Sequence, residues 1–144
     1  MTSLLHLIAR MRYGGISSLT ASLRARLHPT QASIAPLVAT ATKDRVGLEI
    51  GGPSRGFERK NILPFYPEAK RIDNVNFSHA TAWESGLRDG GNFVFDATKP
   101  TGRQFLSEAP RLEGIPDASY DYVFSTHCLD HVATPLAELR EWGR

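Results

Sequence analysis

The sequence predicts an α/β fold with a mostly parallel sheet, and three features of the chain support this prediction. From residue 45 onward, short apolar segments that fit strands alternate with helical or irregular connections. The first of these apolar segments ends in a glycine turn. The length of 144 residues, with 41% hydrophobic and 22% charged residues, is typical of one globular domain.

The N-terminal residues 1–43 differ from the rest of the chain in their charge. They contain five basic side chains and no acidic one. Such a segment is typical of an organelle-targeting peptide, of an arm that binds a membrane surface or nucleic acid, or of helices packed beside a sheet. Apolar residues at helical spacing favour the helices: Leu4, Leu5, Ile8 and Met11. We therefore divide the chain into a basic helical segment, residues 1–43, with a second helix over about 19–27, and an α/β domain, residues 44–144.

The α/β domain is predicted to contain five strands. They are expected over residues 46–50, 70–76, 92–98, 103–107 and 120–126. The third and fourth strands are joined by a Pro/Gly turn, which predicts a hairpin. A short helix or loop is expected over 54–62 and a helix over about 79–88. A closing helix through Trp142 is expected to begin at Thr134, with Pro135 in its first turn.

The turn after the first strand is the most informative local feature. Glu49 lies one residue before the end of an apolar strand, so its carboxylate must either contact water or bind another group. The following Gly51 and Gly52 allow the backbone to pass close to a nucleotide-like ligand at the carboxyl end of the strand. This pattern predicts a cofactor-binding turn.

The same segment allows a second interpretation, as a serine hydrolase. Residues 52–56 match the Gly-x-Ser-x-Gly pattern, which would make Ser54 the nucleophile, and Asp130 and His131 follow in the required order. That acid and that histidine are adjacent, however, so the acid is poorly placed to orient the histidine. The hydrolase is therefore the weaker alternative.

Several other classes of site and setting are not supported by the sequence. His127 and His131, with Cys128 or Asp130, could begin a metal site, but the chain shows no cluster that would supply further ligands. The single cysteine excludes an internal disulfide and is compatible with the reducing cytoplasm, which is our predicted location. No apolar run reaches the roughly 18 residues of a membrane span, and no nucleic-acid partner is predicted.

Two motifs in the right order resemble class I S-adenosylmethionine-dependent methyltransferases of the type 11-like group. Residues 115–131 resemble the fourth-strand region of that family. The family's "Ser-His-x-Leu-Glu-His" segment at the end of this strand is matched here with Asp130 in place of the glutamate. Residues 134–144 approximate the family's next segment, "Pro-x-x-Ala-Leu-x-Glu-Trp-x-Arg", and residues 48–53 fit its cofactor turn. The resemblance covers about residues 45–144.

The resemblance implies a Rossmann-like fold that binds S-adenosyl-L-methionine. Glu49, with the backbone of Gly51 and Gly52, would hold the methionine part of the cofactor. The acid that ends the second strand in this family binds the ribose hydroxyls. Asp73 is the first candidate for this role, and Asn76 is the alternative.

The resemblance also implies an adenine-facing acid and a methyl-transfer reaction. Glu108 is the first candidate to face the adenine, and Asp96 is the second. The reaction would be an in-line displacement at the sulfonium methyl, which depends mainly on holding the acceptor in near-attack geometry. The acceptor is expected to be a small molecule or of glycan type. His127 is the candidate catalytic base, although structural packing is its more ordinary role.

The chain also departs from the family pattern. Pro53 and Ser54 replace the usual third glycine of the turn, and the family continues beyond the closing helix with a Gly-Gly turn and further strands. We therefore expect the N-terminal half of such an enzyme, without detectable transfer activity of its own. The strand over 120–126 would then have an exposed edge through which the chain self-associates. A non-catalytic truncated product, which keeps part of the cofactor pocket or pairs with another chain, is the alternative function.

Overall fold

The computed structural model describes Leu27 and residues 29–59, 61, 63–81, 85–108 and 111–144. The helices predicted before residue 27, and Trp83 in the predicted helix over 79–88, lie outside the described residues. The order of elements begins with helix α1 (Pro29–Thr42) and strand β1 (Val46–Ile50), which leads to a 3-10 turn (Arg55–Phe57) and helix α2 (Phe65–Glu68). It continues with β2 (Arg71–Asn76), β3 (Gly90–Phe93), β4 (Gly102–Leu106), β5 (Tyr122–Ser125) and helix α3 (Pro135–Trp142).

The described strands form one sheet in the order β3-β4-β2-β1-β5. β1, β2, β4 and β5 run parallel to one another, and only β3 runs antiparallel, against β4. This arrangement confirms the predicted α/β class with a mostly parallel sheet. Because parallel strands end on the same side, we call that side the carboxyl edge; it lies where β1, β2, β4 and β5 end.

The two faces of the sheet carry separate apolar clusters. The first cluster lies beneath α3 and contains seven buried residues: Leu48, Ile50, Val75, Phe105, Leu112, Ile115 and Cys128. The second lies against the 3-10 turn and α2: Phe57, Tyr66, Ala69, Ile72, Phe93 and Phe95. Successive residues of a strand point to opposite faces, so β2 supplies Val75 to the first cluster and Ile72 to the second, whereas Leu48 and Ile50 of β1 both belong to the first.

The structure differs from the sequence-based expectations mainly in the connections. The helix expected over 79–88 is wrong for the described part of that segment: Ala80 and Ser85 form an antiparallel bridge, and the Leu87 N–H donates to the His79 carbonyl at 2.9 Å. The predicted hairpin is present, but its first strand covers Gly90–Phe93 rather than 92–98. β2 and β4 are therefore connected through an edge strand and irregular segments.

The two described helices that flank the domain illustrate what the sequence did and did not indicate. α3 begins after Thr134 with Pro135 in its first turn, as predicted, although the Thr134 side chain makes no capping hydrogen bond. α1 lies within the segment that was predicted to be helical, although no separate helix was predicted over its residues, and it contains Pro36. It ends at Thr42, next to the predicted boundary at 43/44. No helix in the described residues is long and apolar enough to cross a membrane.

Candidate functional site

The glycine turn, Gly51–Pro53, is held against β2 by two asparagine side chains. Gly51 has a φ of 84°, in the left-handed region that favours glycine. The Gly52 N–H donates to Asn74 Oδ1 at 2.9 Å, and the Gly52 carbonyl accepts from Asn74 Nδ2 at 3.1 Å and from Asn76 Nδ2 at 2.7 Å. The backbone of the turn is thus fixed at the carboxyl edge by side chains from the neighbouring strand.

Glu49 lies directly beneath this turn and is fully buried. Its Oε2 accepts a hydrogen bond of 2.7 Å from the Tyr66 hydroxyl, which in turn accepts from the Ser54 N–H at 2.8 Å. Its Oε1 has no hydrogen-bond partner in the described residues. Burial raises the pKa of the Glu49 carboxyl to about 7, although the hydrogen bond from Tyr66 and the nearby polar groups of Ser54 oppose this rise.

Contact with Glu49 explains why the second residue of the turn is glycine. A Cβ atom on Gly52 would lie 2.2 to 2.5 Å from the carboxyl atoms of Glu49. Real Cβ contacts are not this short, so a side chain here would displace either the turn or the buried carboxyl. The contact between Glu49 and Gly52 therefore leaves no room for a side chain at position 52.

A row of polar side chains continues from Glu49 across the sheet. In register, Glu49 lies beside Asn74, and Asn74 lies beside Gln104. Asn74 Nδ2 donates to Gln104 Oε1 at 2.9 Å, and Gln104 Nε2 donates to the Phe105 carbonyl at 2.8 Å. All three side chains are buried. This row was not predicted from the sequence, although polar residues at alternate positions of β2 are a signal for it.

Asp73, the first candidate for the ribose, does not lie with these groups. It is in the middle of β2, which ends at Asn76, and it points to the opposite face of the sheet from Glu49. Its carboxylate pairs with Arg71 at 3.0 Å and accepts from the Arg103 N–H and the Tyr120 hydroxyl, each at 2.8 Å. Asp73 therefore does not stand at the end of β2, where the resemblance requires the ribose-binding acid, because β2 continues for three more residues.

Asn76, the alternative candidate, lies at the carboxyl edge beside the turn. Its Nδ2 is used by Gly52, whereas its buried Oδ1 has no partner in the described residues. The Ser107 N–H donates to the Asn76 carbonyl at 3.0 Å, which brings the end of β4 to the end of β2. Glu108 follows Ser107, is exposed, and borders a groove of about 630 Å³ that Phe77 and His79 also line.

Asp96, the second candidate for the adenine, lies at the other side of the sheet. It precedes β4, whereas Glu108 follows it. Its Oδ1 accepts from the N–H and hydroxyl of Thr98 at 2.8 and 2.7 Å, and these bonds hold the pKa of the Asp96 carboxyl below its usual range. The structure therefore brings Glu108, and not Asp96, to the carboxyl edge.

The end of β5 meets the glycine turn from the other side of β1. The Thr126 hydroxyl donates to Ser54 Oγ at 2.8 Å, and the Cβ of Cys128 lies 3.4 Å from where a Gly51 Cβ would stand. His127 is exposed between these residues, with a φ of 52°. β2 and β5 flank β1 on opposite sides, so the order of strands reverses at the turn, which is where open α/β sheets bind ligands.

The geometry does not favour the hydrolase or metal alternatives. Ser54 has an extended backbone, with φ −110° and ψ 117°, instead of the strained turn of a nucleophile elbow, and its Oγ is bonded to Thr126. Asp130 and His131 contact each other at 3.6 Å, and both are exposed. Within the part of the chain that the structure describes, no three metal-binding side chains form a cluster.

No family model, no curated protein and no solved structure matches the chain. Interpretation of the site therefore depends on the geometry of the carboxyl edge and on the motifs in the sequence.

Proposed function

We propose that this chain has a Rossmann-like fold that binds S-adenosylmethionine, and that it takes part in methyl transfer. One observation carries the proposal: the glycine turn, Asn76 and the Glu108 groove meet at the carboxyl ends of three parallel strands. These are the strand ends from which the resembling family draws its cofactor contacts.

The polar groups at this edge fit the parts of the cofactor. The unpartnered Asn76 Oδ1 is a buried acceptor that a ribose hydroxyl would satisfy, and Glu108 is an exposed acceptor beside the groove for the adenine amine. Glu49 has one unpartnered carboxyl oxygen beneath the turn, and a carboxylate there favours the cationic methionine part of the ligand. Asp73 is fully engaged with other groups and is not included in the proposed site.

The residues of the chain would hold the ligand and accept a proton. The cofactor, when bound, supplies an electrophilic methyl group. The turn and Asn76 would fix its orientation, which is the main requirement of this displacement. His127 is exposed just after the end of β5. There an imidazole nitrogen could take up the proton that the methyl acceptor loses.

Calorimetric titration with S-adenosylmethionine tests this proposal. We expect saturable binding by the wild-type chain and about tenfold weaker binding by Glu108→Gln, because that change removes a charge-assisted hydrogen bond. Glu68→Gln is the matched control, since Glu68 ends α2 at the opposite side of the sheet, and it should bind like wild type. Absence of wild-type binding would reject the proposal, and equal losses in both variants would reject the assignment of Glu108.

A further inference from the structure

Glu49 is a buried acid that has no basic partner among the described residues. The side chains beside it are the titratable Tyr66 from α2, the neutral Asn74 from β2 and the apolar Phe124 from β5, and Tyr122 of β5 is a second titratable group on the same face of the sheet. Glu58 interacts with Tyr66, whereas no charged side chain of the described residues interacts with Glu49. A carboxylate in such surroundings is unfavourable unless a proton or a cation accompanies it.

The carboxyl is also in direct contact with the proposed ligand-binding turn. Gly52 packs on all three carboxyl atoms, and the Tyr66 hydroxyl joins Oε2 to the backbone of Ser54 just after the turn. The unpartnered Oε1 remains available to a new charge. A cation that binds at the turn therefore acts on Glu49 over a short distance through a medium of low polarity.

We propose that Glu49 couples ligand binding at the glycine turn to the release of a proton, and that Tyr66 sets the pH at which this occurs. The ligand step rests on the proposed function, because S-adenosylmethionine supplies the positive charge. In that step the protonated carboxyl loses its proton to solvent, and the carboxylate left behind is stabilised by the cationic ligand. Tyr66 is a positioning residue, since its hydroxyl orients the carboxyl and favours the ionised form.

Two tyrosines whose hydroxyl groups are buried on the same face of the sheet provide a matched pair of variants. The Tyr66 hydroxyl bonds to Glu49, whereas the Tyr122 hydroxyl is buried without a partner in the described residues. In the ligand-free chain, carbon-13 NMR of the Glu49 carboxyl, assigned by its loss in Glu49→Gln, should show a midpoint near pH 7. We expect Tyr66→Phe to raise this midpoint by about one pH unit, and Tyr122→Phe to leave it unchanged.

Proton release is measured by calorimetry of S-adenosylmethionine binding in buffers of different ionisation enthalpy. At pH 7 the wild-type chain should release about half a proton per ligand, because half of the Glu49 carboxyls are protonated beforehand. Tyr66→Phe should release more, Tyr122→Phe should match wild type, and Glu49→Gln should release none.

The two measurements separate this inference from the proposed function. Equal midpoint shifts in both tyrosine variants, no shift in either, or ligand binding without proton release would overturn the inference. A wild-type chain that binds no S-adenosylmethionine would reject the proposed function and the ligand step together. The ligand-free titration would then still decide whether Tyr66 controls Glu49.

Discussion

At the scale of single residues, Glu49 makes the stability of the fold depend on pH. The pKa of its carboxyl is about 7 in the folded chain, against an ordinary value of 4.5, so the folded state holds more protons than the unfolded state between these values. The free energy of unfolding must therefore fall as the pH rises from about 4.5 to about 7.

Glu49→Gln should remove this dependence, because glutamine keeps the shape of the protonated acid but has no charge to bury. We expect the variant to be more stable than wild type above pH 7, by as much as about 3 kcal/mol, and similar to wild type near pH 4.5. Urea unfolding at a series of pH values measures the difference. A constant difference across the range would show that Glu49 does not titrate in this window.

The sequence predicted the position of Glu49 but not its surroundings. An acid before a glycine turn is visible in the order of residues, whereas the contact with Tyr66 depends on how α2 packs against the sheet. The role of Asp73 also depended on structure that the order of residues does not reveal. Its distance from Gly51 suggested a ribose-binding acid, but the exact end of β2 decides which side chain reaches the carboxyl edge, and that residue is Asn76.

At the scale of elements, the pairing of β2 with β4 depends on Gly102. A Cβ atom at this position would lie 1.7 Å from the backbone oxygen of Ile72 in β2. Backbone atoms of a central strand cannot move aside as the end of a side chain can. The first residue of β4 is therefore restricted to glycine by the closeness of the neighbouring strand.

Gly102→Ala should lower the free energy of unfolding by about 1–3 kcal/mol or prevent folding, because it forces β4 away from β2. Gly91→Ala in β3 is the control, since its Cβ would have nothing within 4 Å, and its effect should stay within about 0.5 kcal/mol. Thermal unfolding followed by circular dichroism compares the two. Equal effects would indicate that alanine is unfavourable for reasons other than the contact with Ile72.

The strands were more predictable than the connections because alternation of apolar residues is a local signal. β1, β2, β4 and β5 lie within a few residues of the expected positions. The faces of short helices are set by packing and are less visible. In α3, Glu138 is 1% exposed and Leu136 is 83% exposed, the reverse of what hydrophobicity alone would indicate.

At the scale of the whole molecule, one side of the structure presents unpaired and apolar groups together. β5 is the last strand at its side of the described sheet, and its residues are only partly buried. Leu136 and Leu139 are exposed on α3, which follows β5 in the chain. Edge strands beside apolar surface favour association between chains.

We expect the purified chain to associate with increasing concentration, and Leu136→Glu to weaken this association. Leu37→Glu is the control, because Leu37 is 70% exposed on α1 and lies outside the proposed contact. Sedimentation velocity over a range of concentrations gives the association of each chain. A wild-type chain that stays monomeric throughout, or equal effects of the two variants, would contradict this prediction.

The buried amides of β2 and β4 have a consequence for how this sequence can change during evolution. The Asn74 side-chain oxygen bonds to the glycine turn, and its nitrogen bonds to the turn and to Gln104. Replacing Asn74 or Gln104 alone therefore leaves a buried polar group without a partner. An apolar pair at 74 and 104 removes both amides together, but it leaves the Gly52 N–H without its partner unless the glycine turn changes as well. Positions 74 and 104 should therefore covary among related sequences, and a substitution at one of them should mark lineages in which the glycine turn has also changed.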